Sequence, residues 1–138
     1  MMFRLTRYGV VLAVLLVSMP IVGARADSLS GVWTMTKYEG PASHGNATTG
    51  QLICADGHFS LIYTMDEAGQ RWGRAHAGTY ALNGDTLTFH VGWSMEYVSG
   101  KPSVAAKASD RDTKFTLAGD TLAIAFSNNA VQTFRRAK

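Results

Sequence analysis

A single cysteine, Cys54, leaves the chain no internal disulfide. An exported domain without a bridge must be held by packing or by closure of its sheet. Free cysteine is among the most buried residue types, so Cys54 is expected in the core rather than as a reactive thiol. Long helical periodicity is missing as well. So are glycine-rich phosphate loops, a G-x-S-x-G elbow and Walker patterns. His44, His58, His76 and His90 show no HxH, HxxxH or Cys–His spacing, so neither a metal site nor a cofactor is expected.

Excess charge disappears once the N-terminus is set aside. The chain holds 13 Lys+Arg against 10 Asp+Glu. Arg4, Arg7 and Arg25 lie in an opening segment without acids, so removing those three leaves 10 of each and no net charge. A basic surface for nucleic acid loses its support, and no such partner is expected. The opening segment itself reads as a signal peptide. Tyr8 to Val17 is apolar and uncharged, Pro20 and Gly23 break the run, and Ala24-Arg25-Ala26 matches a small-x-small cleavage site. The run falls short of the roughly 20 residues that a span needs, so no membrane span is expected after cleavage. Residues 1–26 are thus expected as a leader and 27–138 as one domain of 112 residues (138 less 26), periplasmic or secreted. A domain of that size buries roughly two-thirds of its unfolded surface, enough for one core.

What the domain does have is alternation, cut by turn dipeptides. Asp56-Gly57, Asn83-Gly84, Ala118-Gly119 and Asn128-Asn129 separate short runs rich in Thr, aromatic and β-branched residues. With Val32–Tyr38 as the first, eight strands are expected. Two hairpins share the pattern aromatic-x-Leu-x-Gly-Asp-Thr-Leu, at Tyr80–Leu87 and Phe115–Leu122. Connections alternate in length. The long ones are Glu39–Gly50, Asp66–Trp72 and Ser94–Arg111, the last with Val104–Ala108 as a candidate short helix. In an up-and-down barrel alternate loops lie at one end, so one end is closed by tight turns and the other is a mouth.

Turn pairing fixes the faces. One face collects Leu52, Cys54, Phe59, Leu61, Tyr63 and Met65. The next hairpin adds Tyr80, Leu82, Leu87, Phe89, Val91, Trp93 and Met95, and the third adds Phe115, Leu117, Leu122, Ile124 and Phe126. The opposite faces hold small or polar residues such as Ala75, Thr79, Thr86 and Thr116. A membrane barrel would show the reverse pattern, so a water-facing exterior is expected.

The ends of the chain add a signature. Leu29-Ser30-Gly31-Val32-Trp33 opens the first strand with Gly-x-Trp, and Phe134-Arg135-Arg136 closes the last. This resembles the short bacterial lipocalin-like, or calycin, domains. The resemblance covers nearly all of residues 27–138 and implies an all-β, eight-stranded up-and-down antiparallel barrel. It also implies that Trp33 packs under a C-terminal arginine, with Arg135 favoured by register over Arg136. The disulfide, C-terminal helix and second motif of larger lipocalins are not present.

Inward polar residues near the mouth are the candidate site. Lys37, Arg74, His76, Arg111 and Thr113 are expected to face in, surrounded by Tyr63, Trp72, Trp93, Met35, Met65 and Met95. Apolar walls with a few convergent cations suit a small hydrophobic or fatty-acid-like ligand with an anionic head group. The alternatives are rim residues that merely reach solvent, a barrel filled by its own side chains, or a protein-interaction module of the protease-inhibitor or envelope-assembly kind. An enzyme using Cys54 or His76 is the remaining alternative, weakened because Cys54 falls near the closed end.

Overall fold

The computed structural model describes residues 26–40, 47–67, 69–98, 101–105 and 108–138. The expected leader, apart from Ala26, and half of the expected first mouth loop, residues 41–46, lie outside the described residues. A 3-10 turn at Ala26–Leu29 leads into nine strands. They are β1 (Gly31–Glu39), β2 (Ala47–Ala55), β3 (His58–Glu67), β4 (Gln70–Asn83), β5 (Thr86–Val98), β6 (Lys101–Ala105), β7 (Ser109–Ala118), β8 (Thr121–Ala125) and β9 (Val131–Arg136).

Every pairing is antiparallel. The order β4-β3-β2-β1-β9-β8-β7-β5 is closed by β4 against β5, which makes an eight-stranded up-and-down barrel. The ninth strand, β6, stands outside the ring. It pairs with the far half of β5, Ser94–Val98, while β7 pairs with the near half, Thr86–Val91. This corrects the expected long loop at Ser94–Arg111 and its short helix. β5 runs on past the barrel and folds back as a hairpin, because an unpaired edge offers backbone partners that outweigh weak local helix preference. Likewise Asp66–Trp72 is not a loop. β3 reaches Glu67 and β4 begins at Gln70, with Gly69 at φ 76° between them.

The closed end follows the turn chemistry. Asp56 and Gly57 both take positive φ, the geometry that suits a twisted two-residue hairpin. The two Gly-Asp-Thr-Leu hairpins each turn one residue later than the dipeptides imply. Asn83 pairs with Thr86 and Ala118 with Thr121, leaving Gly84-Asp85 and Gly119-Asp120 as the turns. Both glycines sit at φ near 60°. The shift moves the pairing by two in sum, so the inward face survives.

Two bulges do change the faces. In β1 the register slips between Met35 and Lys37, and in β4–β5 it slips between Ala77 and Gly78. Opposite the second slip, Gly92 is the extra residue, since Gly78 faces Val91 and Ala77 faces Trp93. A Cβ at Gly78 would run into the His90 carbonyl oxygen, so the kink needs a glycine there.

The core fills the closed end. Trp33, Phe134, Leu29, Leu52, Leu87, Leu122, Ile124 and Cys54 are fully buried. Side chains of this size contribute roughly 1.5–3 kcal/mol each on burial. Trp33 donates its indole N–H to the Leu29 carbonyl at 2.8 Å. The arginine over its ring is Arg136, 4.1 Å from the ring centroid, and not Arg135. Gln132, Phe134 and Arg136 share the inward face of β9, and Arg135 points out. Arg136 also donates to the carbonyls of Ser30 and Ser28 at 2.6 and 2.9 Å, which ties the N-terminal turn across the barrel floor.

Candidate functional site

The other end of the interior is polar. Alternation on β3 brings Leu61, Tyr63 and Met65 inward, and their partners on β4 are His76, Arg74 and Trp72. Past the Gly92 bulge, β5 turns Ser94, Glu96 and Val98 to this same face. Arg74 therefore meets Glu96, with guanidinium–carboxylate distances of 3.1 and 3.4 Å. Burial opposes the Arg74 charge, but the Tyr63 hydroxyl and the Glu96 carboxylate beside it hold that charge in place.

From the opposite wall, β7 supplies Arg111, paired with Phe89, and Thr113, paired with Leu87. Thr113 is buried and its hydroxyl donates to the Leu87 carbonyl at 2.8 Å. The flanking Asp110 and Asp112 point away, to His90 and Thr88. Arg111 has no hydrogen bond or ion pair among the described residues. With Arg74 paired to Glu96, Arg111 is the cation on the cavity wall without a partner among the described residues, and Asp110 and Asp112 flank it on the outer depression.

A cavity of about 70 Å³ lies between these walls. Tyr63, Arg74, His76 and Arg111 line it together with Tyr38, Phe126, Asn128 and Gln132. Below it only about 10 Å³ of space remains, between Phe59, Phe89 and Val91. The Phe59 and Phe89 rings, 4.6 Å apart, plug the barrel there. Outside, an open depression shares Arg111, Phe126 and Asn128 with the cavity, so the two are neighbours. A second open groove, on the wall where β1 and β2 part, is lined by Thr34, Thr49, Gly50, Ile62 and Thr64 and holds no charge.

Among the described residues, two polar side chains of the cavity lack partners. His76 is 8% exposed and Gln132 is 3% exposed. Both imidazole nitrogens and the Gln132 Oε1 make no hydrogen bond. Burial, then the charges of Arg111 and Arg74, push the His76 pKa down to about 4, against a smaller opposing pull from Glu96. The ring is therefore neutral at pH 7, with one N–H donor and one bare nitrogen.

Of the seven candidate residues, four meet at the cavity: Tyr63, Arg74, His76 and Arg111. Trp72 faces in beside them, partly buried against the core at the rim. Lys37 and Trp93 do not join them. The β1 bulge turns Lys37 to the exterior, where it pairs with Glu39 at 2.8 Å, and puts Tyr38 inside instead. The Gly92 bulge turns Trp93 and Met95 to the outer wall, and Trp93 is 41% exposed. Sequence reasoning missed Tyr38, Glu96, Asn128 and Gln132. Gln132 was within reach, being two residues from Phe134 on one strand face. Tyr38 and Glu96 each lie beyond a bulge and carry no comparable signal.

Cys54 is buried at the closed end, and burial pushes its thiol pKa up to about 12. It is a packed apolar group far from thiolate chemistry at neutral pH. Comparison with protein-family models, with curated proteins and with solved structures returned no match.

Proposed function

We propose that the chain is an exported, lipocalin-like binding barrel that holds a small anionic ligand at its mouth, with Arg111 as the main contact for the charge. The observation that carries this reading is the cavity itself, a half-open polar space with the guanidinium of Arg111, which has no ion-pair partner among the described residues, on its wall. A guanidinium is pre-shaped for a carboxylate or phosphate. Size favours the anionic part of the sequence expectation over the hydrophobic part. Pockets for drug-sized ligands run from roughly 300 Å³ upward. At about 70 Å³ the cavity suits a head group or a very small molecule. An acyl tail would have to lie outside, in the depression beside Phe126.

Export rests on the residue pattern of the leader, and mass measurement of protein from its native source tests it. A mature chain beginning at Asp27 is the expected result. For binding, calorimetric titration of the purified protein with acetate, phosphate and octanoate tests the head-group role. Arg111→Gln is expected to weaken the best of them at least about tenfold, the scale of one charge-assisted hydrogen bond. Equal affinity in wild type and variant would remove Arg111 from the site.

The outer wall supports a second reading, a protein-interaction module. Ile62, Trp93 and Tyr97 face outward from β3 and β5, each at least 41% exposed. Native mass spectrometry separates the two readings. A co-purified small molecule supports the first, and a bound protein supports the second.

A further inference from the structure

We infer that the mouth cavity recognises a short 2-hydroxycarboxylate, with the carboxylate on Arg111 and the hydroxyl donating to the Gln132 Oε1. This rests on the anion-binding reading above and narrows it to a chemical class. Three features of the cavity carry the step.

The first is an unmatched demand for donors. A carboxylate or phosphate only accepts hydrogen bonds once ionised. It can satisfy Arg111 and the imidazole N–H. It can do nothing for the Gln132 Oε1 or for the bare His76 nitrogen, two acceptors buried without partners. A ligand that displaces water from such an atom without donating to it leaves it unmatched at roughly 1–3 kcal/mol, so a ligand that brings a donor is favoured over one that does not.

The second is the sign of the field. An ammonium would also donate, but it would enter beside Arg111, whose charge adds to burial in keeping the His76 ring neutral. A neutral hydroxyl supplies the proton without that repulsion. The site therefore separates hydroxy acids from amino acids as well as from plain acids.

The third is volume. A water needs about 10–15 Å³ of such space, so a cavity near 70 Å³ has room for about five to seven non-hydrogen atoms. Glycolate and lactate fall in that range, and a fatty acid does not.

Calorimetric titration of the purified protein at pH 7 with glycolate, lactate, acetate, propionate and glycine tests the inference. Glycolate and lactate are expected to bind at least about tenfold more tightly than acetate and propionate, with glycine weaker than glycolate. Gln132→Leu is expected to erase the preference for the hydroxyl, bringing glycolate down to the affinity of acetate. As a readout independent of any variant, the His76 ring signals in NMR should move with glycolate, and its pKa should rise as an anion enters. Equal binding of acetate and glycolate would overturn the hydroxyl assignment and leave the anion site standing. No binding of any carboxylate at millimolar concentration, with unmoved His76 signals, would overturn both and leave a cavity that holds only water.

Discussion

The two ends of the barrel are built from the same strands and obey different rules. At the closed end every inward side chain is apolar or finds a partner. Trp33 hands its N–H to Leu29, Arg136 lies over its ring, and Leu122, Ile124 and Phe134 fill the remainder. At the mouth end, a few residues further along the same strands, inward positions are Arg74, His76, Glu96, Arg111 and Gln132, and three buried polar atoms are unmatched. The closed end minimises free energy by excluding water. The mouth end carries charge and open hydrogen-bonding capacity, both of which cost stability on their own. The difference separates the end held by apolar packing from the end that carries unpartnered polar groups.

That contrast can be broken from the largest expected effect downward. Trp33→Ala removes the largest fully buried side chain and should cost about 3–5 kcal/mol in urea denaturation, near the whole stability of a small domain. A loss under about 1 kcal/mol would show that the floor is not the anchor.

Acid tests the mouth. The unfolded chain protonates His76 near pH 6.5, whereas the folded ring resists to about 4. The unfolded state thus binds the extra proton between those values. Stability from this group is complete above pH 6.5, falls as the pH drops toward 4 and then levels. The full loss is on the order of 3 kcal/mol. Denaturation midpoints from pH 7.5 to 4 should show this decline, and His76→Leu should flatten it. An unchanged slope in that variant would place the titrating group elsewhere.

The two neighbouring arginines sharpen the picture of the lid. Arg136→Ala should cost about 2 kcal/mol, from the ring contact and the carbonyl hydrogen bonds it loses. Arg135→Ala, on the outer face, should stay within about 0.5 kcal/mol. Matching losses in thermal melts would contradict the assignment of Arg136 as the cap. The smallest expected effect is at Arg111. Removing an unpaired cation near a neutral buried histidine should leave stability within about 0.5 kcal/mol, or raise it slightly. A large loss on Arg111→Gln in the same melts would make it a structural residue and blur the distinction between the two ends.

Much of this was legible in the residues. Strict period-2 alternation through Phe59–Met65 and Phe115–Ile124 identifies inward side chains without any structure, because a pleated strand turns successive side chains to opposite faces. The glycine turns locate the hairpins for a similar reason, since few residues accept positive φ. The site was legible where no bulge intervened. Tyr63, Arg74, His76 and Arg111 were placed correctly on the inner face, and Lys37 and Trp93 were not. A bulge changes the parity of everything beyond it; the β4–β5 bulge is marked by Gly78 and Gly92, whereas the β1 bulge at Thr36 has no such mark.

The chain's own sequence thus determined that it forms strands, where they turn and which face of each is apolar, all of which are local consequences of side-chain type and backbone freedom. Only the tertiary structure decided that β5 runs past the ring to pair with β6, that Arg136 and not Arg135 covers Trp33, and that Glu96 and Tyr38 enter the mouth while Trp93 and Lys37 leave it. Those outcomes depend on ring closure, where strands distant in sequence must meet in one register, and on the two bulges that change which side chains face in.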